Sequence, residues 1–179
     1  MRVLAFAASN SKQSINKQLV KHAVRVLKSD VIPDAEIEII DLNDFEMPLY
    51  SIDRETENDI PEQAHEFFKK ICETDALLIS YAEHNGLYTA AYKNIFDWVS
   101  RIEQKVYQNK PMVILATSPG RRGGSNVLDI ATKSAPFFGG EVKASLSIPS
   151  FNHNFDTSTG QLINAYLQVK LKSALSSLI

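Results

Sequence analysis

Apolar residues along the chain fall into two alternating patterns, one typical of buried strands and one typical of amphipathic helices. Five short apolar or β-branched runs predict strands, over Val3–Ala7, Glu36–Ile40, Ala76–Tyr81, Met112–Thr117 and Val142–Ile148. The segments between and after them carry apolar residues at helical spacing and predict helices, over Ile15–Leu27, Pro61–Glu73, Thr89–Glu103, Asn126–Phe138 and Thr159–Leu178. This alternation of strand and helix predicts a parallel sheet covered by helices on both faces.

The predicted fold is therefore an α/β three-layer sandwich, whose five parallel strands take the order 2-1-3-4-5. The chain has 179 residues and no linker-like stretch, which predicts a single domain over 1–179. One long segment, "DLNDFEMPLYSIDRETENDI", follows the second strand without clear periodicity. We expect an irregular loop that is functional or mobile, with the apolar residues of 45–50 packed on the domain, a ligand or a neighbouring subunit.

Composition excludes several classes of protein. The formal net charge is −2, which disfavours a nucleic-acid-binding face, and no apolar run approaches the length of a membrane span. The single cysteine, Cys72, cannot form an internal disulfide, and no secretory signal is recognisable, so a cytoplasmic location is expected. The four histidines lack the spacing of paired metal ligands, so no metal site is predicted.

Candidate chemistry lies in three polar loops that follow the first, third and fourth strands. Ligands of open α/β sheets bind beyond the carboxyl ends of the strands, where the strand order reverses. The first loop (residues 8–16) reads "ASNSKQSIN", the second (82–89) reads "AEHNGLYT" and the third (118–126) reads "SPGRRGGSN". We expect any ligand to lie where these loops meet.

The first loop has the composition of an anion site. Its serine and asparagine side chains surround the start of a helix, whose free N–H groups and dipole favour a negative charge. It contains no glycine, whereas a dinucleotide pyrophosphate needs glycines for close backbone approach, so the loop suits a monophosphate. The alternative is that Ser11 or Ser14 only caps the helix.

The second and third loops could hold a flat ligand between them. Asn85-Gly86 is typical of a hairpin turn, but a helix follows, which favours a strand-to-helix loop in which Gly86 relieves a crowded backbone position. The glycines of the third loop would let a ligand approach the backbone closely. The alternatives are an ordinary connection for the second loop and tight packing for the glycines of the third.

The three loops and their flanks together resemble the NADPH-dependent FMN reductase family of flavodoxin-like proteins, which includes chromate, quinone and azo-dye reductases. "ASNSKQSIN" looks like the family's G-S-x-R-x-x-S-x-N, "AEHNGLYTAAYKNIFDWVSR" looks like P-E-Y-N-x-x-x-P-x-x-L-K-N-x-x-D-W-x-S, and "KPMVILATSPGRRGGSN" looks like K-P-V-x-x-x-x-x-S-P-G-x-x-G-G. The resemblance extends over nearly the whole chain. Ala8, Ser11, Ala82 and His84 stand where those patterns have Gly, Arg, Pro and Tyr.

The resemblance implies a flavodoxin-like fold with bound FMN. The first loop would surround the FMN phosphate, the second would edge the isoalloxazine ring and the third would lie on the other side of that ring. The candidate cofactor-binding residues are Ser9, Ser11, Ser14, Ile15, Asn16, Glu83, His84, Asn85, Gly86, Ser118, Pro119, Gly120, Gly123 and Gly124.

The implied activity is that of a reductase in which FMN passes hydride from NADPH or NADH to free flavin, a quinone or a similar small acceptor. No acid or base is required for hydride transfer, so no catalytic side chain is predicted. Two alternatives stay open, a flavodoxin-type electron carrier and a flavin-binding protein without turnover. The apolar content of residues 45–50 and 96–98 predicts a homodimer or homotetramer.

Overall fold

The core of the fold is a sheet of five parallel strands, seen in a computed structural model that describes residues 1–179. The strand order is 2-1-3-4-5, which confirms the predicted topology and the α/β class. Every predicted strand lies within an observed one. The strands are β1 (Arg2–Ala8), β2 (Glu36–Ile40), β3 (Ala76–Tyr81), β4 (Lys110–Thr117) and β5 (Gly140–Ile148).

Helices cover the sheet on both sides, and most of them begin and end close to the predicted residues. None of the helices has the length and apolarity needed to cross a membrane. The helices are α1 (Ile15–Val26, continued by a π-helix over Leu27–Val31), α2 (Ile52–Asn58), α3 (Glu62–Cys72), α4 (Ala90–Ile102), α5 (Ser125–Ser134, continued by a 3₁₀ helix over Ala135–Phe138), α6 (Phe151–Asn154) and α7 (Ala165–Ser176).

The sheet buries apolar side chains on both faces, as the three-layer prediction requires. On β1, Leu4 and Phe6 belong to one core cluster, whereas Val3 and Ala5 belong to another. Successive side chains of a strand point to opposite faces, so the two clusters lie on opposite sides of the sheet. Helices α3, α4 and α5 contribute to the first cluster, and α1 and α7 contribute to the second.

The segment after β2 is more regular than predicted. Residues Leu42–Phe45 form a 3₁₀ helix, and α2 begins after Ser51, whose hydroxyl accepts a hydrogen bond from the Arg54 N–H at 3.2 Å. The ring of Phe45 packs edge-on against Phe67 at 5.2 Å between centroids. The expectation of an irregular loop was wrong. Hydrophobic periodicity is recognisable only over longer windows, so it does not reveal two helices as short as these.

The last predicted helix begins six residues too early. Thr159 was expected to start it, but α7 starts at Ala165, after Asn164 caps its first turn by accepting from the Leu167 N–H at 3.2 Å. The preceding residues form a small antiparallel hairpin of β6 (Phe155–Asp156) and β7 (Gln161–Leu162). Gly160 has φ +69 in its turn, a conformation that a helix cannot continue.

The aromatic residues that suggested an oligomer interface are buried or partly buried within the chain. Phe45 and Trp98 are buried, the Trp98 indole N–H donates to the Pro48 carbonyl at 2.7 Å, and the Tyr50 ring packs edge-on on Trp98 at 5.0 Å. Their apolar character is therefore explained by the core. Leu49, which is 69% exposed, and Ile52, which is 59% exposed, are the large apolar side chains of this region that remain uncovered.

His22 is a buried polar residue on α1. Its side chain is only 8% exposed, its Nδ1 atom has no hydrogen-bond partner, and its ring packs edge-on against Phe155 at 5.9 Å. Burial, reinforced by the neighbouring Arg25 guanidinium, lowers the pKa of His22 below its ordinary value of 6.5. The folded protein therefore holds His22 neutral over a range of pH in which an unfolded chain would protonate it.

Because the folded and unfolded states of His22 differ in pKa, the protein should become less stable as the pH is lowered. As pH falls through about 6.5, the unfolded chain binds a proton that the folded state resists, so the free energy of unfolding should decrease. The loss should continue until pH reaches the lowered pKa of folded His22.

Urea unfolding of wild type, His22→Leu and His65→Gln between pH 7.5 and 5 measures this effect. His22→Leu should show a shallower pH dependence than wild type, and the exposed His65 serves as the control. Equal pH dependence in all three proteins would contradict the assignment.

Candidate functional site

The three predicted loops lie side by side at the carboxyl edge of the sheet. The last residue of β1, Ala8, pairs with Tyr81 at the end of β3, and Tyr81 pairs with Ala116 near the end of β4. The residues that follow these strands must therefore start next to one another. This arrangement confirms the expected meeting of the loops and places the candidate residues on one rim.

Asn16 joins the first loop to the ends of β3 and β4. Its Nδ2 donates to the Thr117 carbonyl at 3.2 Å, while its Oδ1 accepts from the Ser80 hydroxyl at 2.7 Å and from the Thr117 N–H at 3.1 Å. All three partners are buried, and Asn16 itself is 2% exposed. Both polar atoms of the side chain are therefore engaged within the protein, as expected for a residue that positions the first loop against β3 and β4.

Two further side chains join the second loop to its neighbours. Thr89 caps α4 by accepting from the Tyr92 N–H, and its hydroxyl donates to the Ala8 carbonyl at 3.0 Å. The Glu83 carboxylate accepts from the Val127 N–H at 3.0 Å, in the first turn of α5. The carboxylate of Glu83 thus stabilises a helix N-terminus, and the three loops form one connected unit.

The first loop keeps main-chain donors free for an anion. The N–H groups of Ile15 and Asn16, in the first turn of α1, donate to no acceptor within the chain. Ser14 does cap the helix, since its hydroxyl oxygen accepts from the Lys17 N–H at 3.4 Å, but its own proton remains available to donate. Capping and anion binding are therefore compatible at Ser14.

The other two serines of this loop differ in exposure. Ser9 is 3% exposed, and its hydroxyl accepts from the Ser11 N–H at 3.2 Å, which shapes the turn. Ser11 is exposed and stands where the family pattern has an arginine. The Lys17 ammonium, just after this loop, pairs with the Asp41 carboxylate at 2.6 Å, so the positive charge of Lys17 is already balanced within the chain.

The second loop contains a tight turn at Asn85-Gly86. Both residues have positive φ, +54 and +80, and His84 and Leu87 exchange two main-chain hydrogen bonds of 3.0 Å. The chain therefore makes a hairpin-type turn and then continues into α4. From the sequence, a hairpin turn and a strand-to-helix loop had been treated as mutually exclusive. Gly86 is needed for its φ and not for crowding, because a Cβ there would meet its nearest atom at 3.5 Å.

The three glycines of the third loop have different roles. A Cβ on Gly123, which has φ +56, would lie 2.4 Å from the Ser147 hydroxyl and 2.8 Å from the Ile148 carbonyl oxygen. Gly124 precedes α5 with φ +75 and lies against Ala116. A Cβ on Gly120 would have no neighbour closer than 3.9 Å. A side chain at Gly123 or Gly124 would therefore meet the protein itself, whereas Gly120 faces open space that a ligand could use.

The flanks of Gly120 fix the path of this loop. The Ser118 carbonyl accepts from the Phe151 N–H at 3.0 Å, and the Gly120 carbonyl accepts from the Ser150 N–H at 2.9 Å. Pro119 between them is exposed. The loop is therefore held against the segment that follows β5, with its outer surface free.

Three tyrosine hydroxyls form a buried cluster at the base of the second loop. Tyr92 and Tyr107 lie 2.6 Å apart, and Tyr81 lies 3.4 Å from each. Burial raises the pKa of Tyr107 to about 12 and raises those of Tyr81 and Tyr92 well above 10. These hydroxyls stay protonated at neutral pH and supply no base to the site.

Sequence reasoning missed the residues that hold the loops together. Ser80, Thr117 and Thr89 were assigned to strand ends or a helix start without a role at the site. A threonine directly before an apolar helical pattern is a recognisable capping signal, so Thr89 could have been found. No local signal reveals the bonds of Asn16 to Ser80 and Thr117, because they join residues 64 and 101 positions apart.

The fold and the rim define a class, a flavodoxin-like α/β protein with free N–H groups in the turn after β1 and an open glycine turn after β4. A model of the family described as NADPH-dependent FMN reductase matches residues 1–152. The chain belongs to this family. The match includes all three loops, so it covers every candidate site residue.

Two relatives and one solved structure illustrate the similarity. An NADPH:quinone oxidoreductase of Arabidopsis thaliana is 35% identical over 124 residues, 69% of this chain and 61% of that protein. A 2-hydroxy-1,4-benzoquinone reductase of Burkholderia sp is 35% identical over 124 residues, 69% of this chain and 63% of that protein. The chain thus spans less than two thirds of either relative. FerB, a flavoenzyme NAD(P)H:(acceptor) oxidoreductase of Paracoccus denitrificans, superposes with a TM-score of 0.75 over 99% of this chain and 94% of that one, at 21% identity.

Proposed function

We propose that this protein is an NAD(P)H-dependent reductase that binds FMN at the three-loop rim and reduces a small acceptor such as free flavin or a quinone. The observation that carries the proposal is the free first turn of α1, where the Ile15 and Asn16 N–H groups have no acceptor within the chain. Family membership supports the same conclusion, since the matching model is described as NADPH-dependent FMN reductase.

The first loop fits a single phosphate. Free N–H groups at a helix N-terminus favour an anion, and the Ser14 hydroxyl can add a donor while it caps the helix. Ser11 is exposed at the same turn and can donate a further hydrogen bond. The turn has no glycine, so the backbone cannot be approached as closely as a pyrophosphate requires, and we propose FMN as the cofactor in preference to FAD.

The second and third loops would border the flavin ring. The Asn85-Gly86 turn presents main-chain groups at one edge, because its internal hydrogen bonds use only His84 and Leu87. Gly120 leaves open space on the other side. Pro119 and Ser118 flank it, while Gly123, Gly124 and the side chains of Glu83 and Asn16 would act indirectly, by fixing the loops in place.

The chain's own residues bind and orient rather than react. FMN, when bound, would supply the chemistry of hydride transfer between a nicotinamide and the acceptor. The phosphate loop and the ring-bordering turns hold the cofactor in one place, and the exposed His84 can donate a hydrogen bond to an acceptor oxygen at the rim. No side chain is assigned as an acid or base, consistent with the neutral tyrosine cluster beneath the second loop.

A flavodoxin-type electron carrier is the rival function. Such carriers dock to protein partners through a strongly acidic face, and the net charge of −2 offers little support for one. The enzyme is favoured on this ground and on the family description. NADPH oxidation by the purified protein distinguishes the two, since an electron carrier has no turnover with NADPH alone.

The cofactor and the activity are tested together on purified protein. Heat release and chromatography should yield stoichiometric FMN, and a steady-state assay should show NADPH consumption that depends on added quinone. Recovery of FAD would contradict the single-phosphate loop. Recovery of FMN without NADPH consumption would retain the site but support the carrier or a flavin-binding protein without turnover.

We further propose a homodimer or homotetramer in the cytoplasm, with small-molecule acceptors as partners. The exposed Leu49 and Ile52 lie in the segment after β2, and this segment contacts the first loop where the Asn43 side chain donates to the Asn10 carbonyl at 3.0 Å. Exposed apolar surface is a candidate for burial against a second subunit. A subunit contact there would lie beside the proposed phosphate site.

A further inference from the structure

A groove lies away from the three-loop rim, between the C-terminal half of α1, the π-helix that continues it, and α7. Its volume is about 520 Å³, which is within the range of small-molecule sites. None of its lining residues belongs to the three loops, so it is separate from the proposed flavin site. The π-helix Leu27–Val31 forms part of its wall, and such turns occur frequently at functional sites.

His22 lines this groove with a ring that makes no hydrogen bond. Its Nδ1 is buried without a partner, in edge-on contact with Phe155. A proton on Nδ1 would be a buried donor without an acceptor, so we assign the ring proton to Nε2. The neutral imidazole therefore offers an Nε2–H donor for which the chain provides no acceptor.

The charged groups of the groove sum to one excess positive charge. Arg25 and Lys172 are cationic and Asp30 is anionic, with the Lys172 ammonium 3.5 Å from the Asp30 carboxylate. The Arg25 guanidinium donates to the Gly160 carbonyl and has further N–H groups free. Val26 and Val169 add an apolar wall. A ligand that matches this groove carries a single negative charge and an apolar body.

We propose that the groove binds a small organic monocarboxylate, with Arg25 and His22 donating to the carboxylate and the valine wall covering the apolar part. A planar carboxylate matches the fork of a guanidinium. A doubly charged phosphate would leave a net negative charge beside Asp30, which disfavours it. This inference does not depend on the identity of the flavin or on the reductase activity.

The test compares benzoate with benzamide, a neutral molecule of the same shape, and with inorganic phosphate. Calorimetric titration of the protein as purified, with its flavin bound, should show one benzoate site with at least 10-fold higher affinity than for benzamide or phosphate. Benzoate should shift the ring ¹⁵N signals of His22 and leave the flavin absorption spectrum unchanged. Equal affinity for benzoate and benzamide would overturn the proposal, as would a flavin perturbation without a His22 shift.

Matched variants locate the binding. Arg25→Gln removes the proposed carboxylate partner at an exposed position and should weaken benzoate at least 10-fold, and His22→Leu should do the same. Lys170→Gln is the control, because it also removes one positive charge but lies on α7 outside the groove lining, with its ammonium over the Tyr166 ring. It should leave benzoate affinity unchanged. Similar losses in Arg25→Gln and Lys170→Gln would show a general charge effect and overturn the site.

Discussion

Asn16→Ala should lower the free energy of unfolding by about 3 kcal/mol and weaken FMN binding in the protein that still folds. The substitution leaves the Thr117 N–H and carbonyl and the Ser80 hydroxyl buried without their partner. Each buried polar group that loses its partner costs about 1–3 kcal/mol. FMN affinity should fall as well, because the first loop loses its connection to the ends of β3 and β4.

Urea unfolding and flavin fluorescence titration measure the two effects separately. Asn152→Ala, at an exposed position on α6, is the control and should change neither. An Asn16→Ala protein of wild-type stability that no longer binds FMN would contradict the positioning role. That outcome would mean that the Asn16 side chain touches the cofactor directly.

Gly123→Ala should be the more damaging substitution, with a loss of about 4 kcal/mol in the free energy of unfolding. Alanine at φ +56 is strained, and its Cβ would overlap the Ile148 carbonyl and the Pro149 nitrogen, both backbone atoms 2.8 Å away. Strain at such a backbone position and overpacking each cost about 1–3 kcal/mol. Because backbone atoms cannot rotate away, the third loop must shift. Chemical denaturation of the variant gives the loss.

Gly120→Ala is the matched comparison within the same loop. Its Cβ would meet nothing closer than 3.9 Å, so stability should stay within about 0.5 kcal/mol of wild type. FMN affinity should nevertheless fall, since the new methyl group occupies space proposed for the flavin ring. Equal destabilisation by the two alanines, or unchanged FMN affinity in Gly120→Ala, would contradict the division of roles among the loop glycines.

The sheet was predictable because each strand is a short apolar run that ends in a polar loop. β3 illustrates this, since Ala76–Tyr81 is buried throughout and both of its ends were predicted correctly. The α7 boundary was missed because the residues before it contain both turn-forming and apolar positions, and only Asn164 and Gly160 mark the true start. Local capping decides such boundaries more than periodicity does.

The position of the rim in the fold was predicted from the sequence, whereas the contacts that its side chains make were not. The proposal of Asn16 and Glu83 as cofactor residues stays a prediction, and the structure adds that their side chains bind Thr117, Ser80 and the Val127 N–H. A sequence motif shows which residue types recur together but not whether a side chain points to a ligand or to the neighbouring loop. The contacts that decide this join residues far apart in the chain, so only the folded arrangement reveals them.

The most direct test of the proposed function is an anaerobic titration of the purified protein with NADPH, followed by absorption spectroscopy of the bound flavin. A stoichiometric amount of NADPH should bleach the flavin absorbance, and a stoichiometric amount of quinone should restore it. A protein that carries FMN but keeps its oxidised spectrum in excess NADPH would contradict the reductase function.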